Sequence, residues 1–140
     1  MGRNLDVVNK WYTDFHGGYI DPVVSVYASD AVLTVGAGDS GGAVPYGGRF
    51  VGTDQIRNYY AWRFSMRTLK SGGMIRPFCG IAAGGFEKEF GPWVIVGGKI
   101  EDAHSDHSSI YNGPFLHVWS FDAGGSVTSL SMFFDNEAVM

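Results

Sequence analysis

The chain has 140 residues, of which 45% are hydrophobic, 15% aromatic and 17% charged, a balance that excludes disorder and fits one domain over 1–140 with a single core. Ten Lys and Arg against 14 Asp and Glu give a net charge of -4, so there is no basic footprint for nucleic acid or an anionic membrane. So many large apolar side chains exceed what a small surface can show, which implies an internal cavity.

Met1-Gly2-Arg3-Asn4-Leu5-Asp6 lacks the apolar run of a secretory signal, and Asp6 stands where a myristoylation motif needs Ser or Thr. Leu5, Val8, Trp11, Tyr12 and Phe15 then recur at the three-and-four spacing of an amphipathic helix over 4–16, capped by Asn4 and stopped by Gly17-Gly18. Asp21-Pro22 starts a second, short helix carrying Val23, Val24, Val26 and Tyr27 and ending near Ser29-Asp30. Ala31 to Val35 reads as a strand, 36–48 as a long glycine-rich loop, and Arg49-Phe50-Val51 as a short extended piece. Gly52-Thr53-Asp54 opens the longest helix, with Ile56, Tyr59, Tyr60, Arg63, Phe64 and Arg67 in helical period to Leu69. Four long antiparallel strands are predicted beyond it: Met74 to Ala83, Trp93 to His104, Ser109 to Phe121, and Val127 to Asp135. Turns fall at Gly84-Gly85, at Ser105 to Ser109 and at Asp122-Ala123-Gly124-Gly125. Helices segregated from a meander mean an α+β fold, one strongly curved, mainly antiparallel sheet wrapped around three helices.

Cys79, the single cysteine, can form neither an intrachain disulfide nor a thiolate zinc site, and no run approaches the roughly 20 residues that span a bilayer. These features predict a cytoplasmic protein. Gly38-Asp39-Ser40-Gly41-Gly42 has the letters around a serine protease nucleophile, but His16 is the sole histidine ahead of it and lies on a helical pattern, so the string is loop composition. His104-Ser105-Asp106-His107, after Glu101 and Asp102, has metal-ligand types without a metalloprotease spacing. A solvated turn accounts for it, and no metal is expected. Phosphate-binding glycine motifs are missing, so no nucleotide cofactor is expected either.

His117 is different. It lies inside Phe115-Leu116-His117-Val118-Trp119, where the pattern predicts a central strand and an imidazole must find a partner or face a cavity. By alternation it shares a face with Phe115, Trp119 and Phe121.

The order of elements, with Tyr27-Ala28-Ser29-Asp30-Ala31-Val32-Leu33, Phe50-Val51-Gly52-Thr53-Asp54-Gln55-Ile56, and the run from Tyr111 to Asp122, resembles the ketosteroid isomerase and SnoaL-like polyketide cyclase superfamily. The resemblance spans nearly the whole chain, to Met132-Phe133-Phe134-Asp135, and implies the cone fold also named for nuclear transport factor two. That fold hosts isomerases, cyclases, epoxide hydrolases, dehydratases and non-catalytic scaffolds on one cavity. Carried across, the isomerases' oxyanion-hole tyrosine falls on Trp11 or, with a one-residue shift, Tyr12. Their general-base aspartate falls near Val35, with Asp39 the nearest carboxylate, and their second oxyanion donor, a protonated aspartate, falls on His117. Two of three roles change, so steroid isomerisation by the isomerases' mechanism is not expected. The epoxide hydrolases' Asp-Arg-Asp relay has no clear counterpart among Arg76, Lys99, Glu101 and Asp102.

The resemblance thus implies catalysis by His117, with Tyr12 or Tyr27 as hydrogen-bond donor and Asp39 carried in by the loop. The cavity walls would be Trp11, Tyr12 and Phe15 from the first helix, Tyr27 from the second, and Tyr59, Tyr60 and Phe64 from the third. Phe115, Trp119, Leu130, Met132 and Phe134 would complete them from the sheet. The expected function is cofactor-independent acid/base cyclisation or isomerisation of a hydrophobic polyketide- or terpenoid-like molecule; a sequestering binding protein, or an epoxide hydrolase or dehydratase, are the alternatives. The outer sheet face is expected to pair two subunits as a homodimer.

Overall fold

Val8, Trp11, Tyr12 and Phe15 form the buried stripe of α1 (Arg3–Gly17) in the computed structural model of the chain, which describes residues 3–35, 48–71, 86–104 and 110–134. Gly18, at φ 78°, ends the helix in a left-handed conformation that glycine adopts without steric cost. Its N–H donates to the Phe15 carbonyl at 3.1 Å and the Tyr19 N–H to the Asp14 carbonyl at 3.0 Å, closing two groups that a helix end leaves open. α2 (Ile20–Ser25) stops earlier than its pattern predicts. Tyr27 to Asp30 are extended and belong to β1 (Tyr27–Val35). The β-branched Val23, Val24 and Val26 favour a helix weakly, and pairing of Tyr27 with Val127 on the last strand captures the segment. Tyr27 therefore stands on the first strand and not on the second helix.

β2 (Gly48–Val51) lies antiparallel to β1 and runs into α3 (Gly52–Ser71), whose Gln55 Oε1 accepts the Val51 N–H at 2.8 Å. The remaining strands are β3 (Phe86–Phe90), β4 (Trp93–His104), β5 (Ile110–Phe121) and β6 (Val127–Phe134). The expected strand Met74 to Ala83, the loop 36–47, and the turns at Gly84-Gly85 and Ser105 to Ser109 lie outside the described residues. The sequence pattern assigned no strand to Phe86–Phe90; the hairpin turn at Gly91, with φ 60°, returns this segment antiparallel onto β4.

The six strands form one mixed sheet in the order β2-β1-β6-β5-β4-β3. Among the described strands, only the β1–β6 pairing is parallel. Register shifts interrupt the pairing of β1 with β6, β4 with β5, and β5 with β6, and such bulges bend a sheet. This is the expected α+β architecture, a bent sheet with its helices on one face.

Directly opposed residues share a face. One row therefore runs Glu87, Val96, His117, Met132, Val35, and the next Glu89, Val94, Trp119, Leu130, Leu33. Apart from the two glutamates every member is buried beneath the helices. The other face leaves Phe90, Trp93, Leu116 and Phe133 exposed, at 36–49%, with Phe90 opposite Trp93 and Leu116 opposite Phe133. Among the described residues, no helix is long and apolar enough to cross a membrane.

β3 is inverted relative to its own pattern. Phe86-Glu87-Lys88-Glu89-Phe90 alternates so that the phenylalanines should point to the core, yet Phe90 is exposed and the glutamates share the rows of buried residues. The helix selects this register. Glu89 Oε1 accepts the Leu5 N–H at 3.0 Å, in the first turn of α1, where unsatisfied N–H groups and the helix dipole favour a carboxylate.

Candidate functional site

α1 lies over β3 and β4, anchored at Leu5 by Glu89, and this carries Tyr12, two turns further on, toward the middle of the sheet. There its hydroxyl meets His117 of β5, with Oη 2.5 Å from Nδ1 and the rings nearly parallel at 8° with centroids 5.7 Å apart. His117 has no solvent exposure. Burial lowers its pKa from 6.5 to about 3, because desolvation penalises the cation. Burial also raises the Tyr12 pKa well above 10, with the Glu87 charge adding to the rise and the nearby Trp119 indole opposing it. Both groups are thus neutral at physiological pH. A neutral phenol and a neutral imidazole at this distance share one hydrogen bond whose direction depends on the imidazole tautomer.

Trp119, two residues along β5, is fully buried with its Nε1 completing no hydrogen bond among the described residues. The indole lies near enough to the Tyr12 oxygen to favour negative charge there without hydrogen-bond geometry. Trp11 differs. Its indole N–H donates to the Val23 carbonyl of α2 at 3.2 Å, and its ring stacks on Phe15 at 5.0 Å and meets Trp119 edge-on at 4.9 Å. Trp11 joins the two helices to the sheet and has no donor left over.

Of the other expected wall residues, Phe115 lies against the His117 ring at 4.5 Å, and Met132 is the cross-strand neighbour of His117 on β6. Leu130 is buried beside it on the same face. Phe15 contacts Phe64 and Tyr60. The Tyr60 hydroxyl is paired with that of Tyr27 at 2.7 Å, and burial raises the pKa of Tyr27. Tyr59 packs on Phe50 of β2 at 4.8 Å, toward the opposite edge of the sheet from β3. Phe134 pairs with Phe115 in register, and its side chain lies outside the described part. Asp39 also lies outside the described residues, as do Ser40 and the Asp106-His107 half of the histidine cluster. Among the described residues, no three His, Cys, Asp or Glu converge as metal ligands.

Sequence reasoning missed Glu87. It stands two strands from His117 in the same row, with the short Val96 between them. Its Oε2 is buried and has no hydrogen-bond partner among the described residues, and its charge is felt at Tyr12. The alternation of Phe86-Glu87-Lys88-Glu89-Phe90 before Gly91-Pro92 was the available signal for a strand. The direction in which it faces was not, because Phe90 is exposed and the glutamates share the rows of buried residues.

No family model and no curated protein sequence matches the chain. Solved structures do. TerC, crystallised with polyporic acid, is 22% identical with a TM-score of 0.71, covering 96% of this chain and 93% of its own. An NTF2-like protein of unknown function from Burkholderia pseudomallei is 21% identical with a TM-score of 0.71, over 100% and 99% of the two chains. A candidate polyketide cyclase from Xanthomonas campestris is 15% identical with a TM-score of 0.70, over 96% and 92%. At such identities the likeness shows the fold alone, and that fold is the NTF2-like cone expected from the sequence.

Proposed function

We propose that this NTF2-like chain is a cofactor-independent enzyme that enolises a hydrophobic carbonyl compound of polyketide or terpenoid type, and so isomerises or cyclises it. The observation that carries the proposal is the enclosed, neutral Tyr12–His117 pair. A dry site makes a tyrosinate–imidazolium pair costly, so the chemistry that suits it creates little net charge. With Nδ1–H donating to Tyr12, the Tyr12 proton passes to the substrate carbonyl oxygen, Nδ1–H replaces it, and Nε2 takes the proton from the α-carbon. Both residues end neutral with the imidazole tautomer exchanged. The Trp119 indole N–H would stabilise charge developing on oxygen.

The test is exchange of α-protons from a panel of aromatic ketones into deuterium oxide, followed by proton NMR. Exchange well above the buffer rate is expected in the wild type, falling by about 100-fold or more in Tyr12→Phe and His117→Ala. Unaltered exchange in both variants, or none in the wild type, would overturn the proposal. Complete enclosure of His117 favours a second reading, sequestration of a hydrophobic ligand, which would show stoichiometric binding and no exchange.

The same proposal includes a homodimer through the outer sheet face, supported by exposed Phe90, Trp93, Leu116 and Phe133. Sedimentation should give a dimer at micromolar concentration and a monomer for Phe133→Glu. A monomeric wild type would count against it.

A further inference from the structure

β3 presents two carboxylates to the helix-covered face, and only one has a structural task. Glu89 closes the first turn of α1 through the Leu5 N–H. Glu87, on the same face one pleat further along, holds no such group, and its Oε2 is enclosed with no partner among the described residues. A buried acceptor left unsatisfied is destabilising, and a ligand that brings a donor to this oxygen would remove that cost.

The surroundings define that donor. α1 advances from Glu89 at Leu5 toward Glu87 as it approaches Tyr12, and the row Glu87, Val96, His117 sets Glu87 and His117 on either side of one short side chain. Strands lie about 4.8 Å apart, so the two backbones are separated by about 10 Å, the scale of one substituted ring. Near the Tyr12 oxygen, the Trp119 Nε1 is a buried donor without an acceptor among the described residues. One unsatisfied acceptor and one unsatisfied donor thus act on the same phenol.

We infer that Glu87 selects the ligand by accepting a hydrogen bond from a neutral hydroxyl carried on the same molecule whose carbonyl oxygen meets Tyr12 and Trp119. The ligand class is a hydroxy-carbonyl compound built on a ring. Glu87 is a specificity-determining residue in this arrangement and takes no proton from the reacting carbon. This deepens the Tyr12–His117 proposal and rests on it. Discrimination follows from the site's chemistry: a pocket built to bond a hydroxyl rejects the ether that would leave the enclosed Oε2 unpaired.

The experiment compares 3′- and 4′-hydroxyacetophenone with their methyl ethers, and with benzyltrimethylammonium, by quenching of tryptophan fluorescence. At least one hydroxy compound should bind the wild type ten-fold or more tightly than its ether. Glu87→Gln and Glu87→Met should reduce that ratio to about three or less, whereas Glu89→Gln should keep it. Glu87→Met should also melt no lower than the wild type, because it removes an unsatisfied group; a lower melting temperature would make Glu87 a structural residue and overturn the inference. Equal affinity for hydroxy compounds and ethers, including no binding of either, overturns it, as does a ratio that survives Glu87→Gln. Tighter, Glu87-dependent binding of the ammonium would replace the hydroxyl by a cation and overturn it too. The two proposals fail separately. Proton exchange without hydroxyl preference removes only Glu87, and a Glu87-dependent preference without exchange removes only the catalysis.

Discussion

Acidification is expected to remove on the order of 4 kcal/mol of stability between pH 6.5 and about 3 through His117 alone, at about 1.4 kcal/mol per pH unit. In the unfolded chain this imidazole takes a proton near its ordinary 6.5; in the folded chain burial holds it neutral until about 3. Across that window the unfolded state binds more protons, so stability falls as pH falls. Above 6.5 both states are neutral and the contribution is flat. Tyr12 and Tyr27 act in the opposite range: burial raises their pKa values, so the stability they add is whole below pH 10 and declines as the unfolded chain ionises above it. The check is urea unfolding at pH 7 and pH 4.5 for the wild type and for His117→Gln, whose neutral amide can donate to Tyr12 or accept from it. Carboxylates add their own dependence to both proteins, so the difference between the two slopes is the quantity of interest. A variant as acid-sensitive as the wild type would clear His117 of this role.

Trp11→Ala is the substitution expected to cost the fold most, about 4 kcal/mol against a total of about 5–15 kcal/mol, with a fall of roughly 10–20 °C in Tm. It opens a hole among Phe15, Tyr60 and Trp119 and strips the Val23 carbonyl of its donor. Val23 lies in the last four residues of α2, where carbonyls have no partner within the helix, so the indole joins the two helices as a cap from outside. Trp11→Phe separates the contributions, restoring most of the ring contact while leaving the carbonyl without its donor, at about 1–3 kcal/mol. Thermal melts of both variants are the measurement. A loss under about 1 kcal/mol for Trp11→Ala would mean that Trp11 borders open space and does not close the core.

Strong periodicity makes most of the fold legible in the sequence. Leu5 to Phe15 and Ile56 to Phe64 carry a helical stripe, and Phe115, Trp119 and Phe121 stand at alternate positions with His117, which is enough to set Tyr12 and His117 on inward faces. Alternation likewise puts Leu130 and Met132 inward, where they are buried. Two failures share a cause. Tyr27 looks helical, and the alternation of Phe86–Phe90 points to the wrong face, because in each the deciding partner is distant: Val127 for Tyr27, and the Leu5 N–H for Glu89. Local pattern cannot register a pairing made across most of the chain. The Tyr12–His117 hydrogen bond spans 105 positions, and at the level of sequence only the resemblance to a family links the two.

The parallel ladder between β1 and β6 also governs how the molecule is made. Residues 27–35 receive their inner neighbour only from residues 127–134, so during synthesis β1 waits, one edge bare, while a hundred positions are added. Local hairpins can form early, but the seam that closes the sheet forms last. Contacts so distant in sequence fold slowly and leave an adhesive strand exposed in the interval. A nascent chain cut before Val127 would lack the strand that joins β1 to β5, so the sheet can close only after β6 has been made.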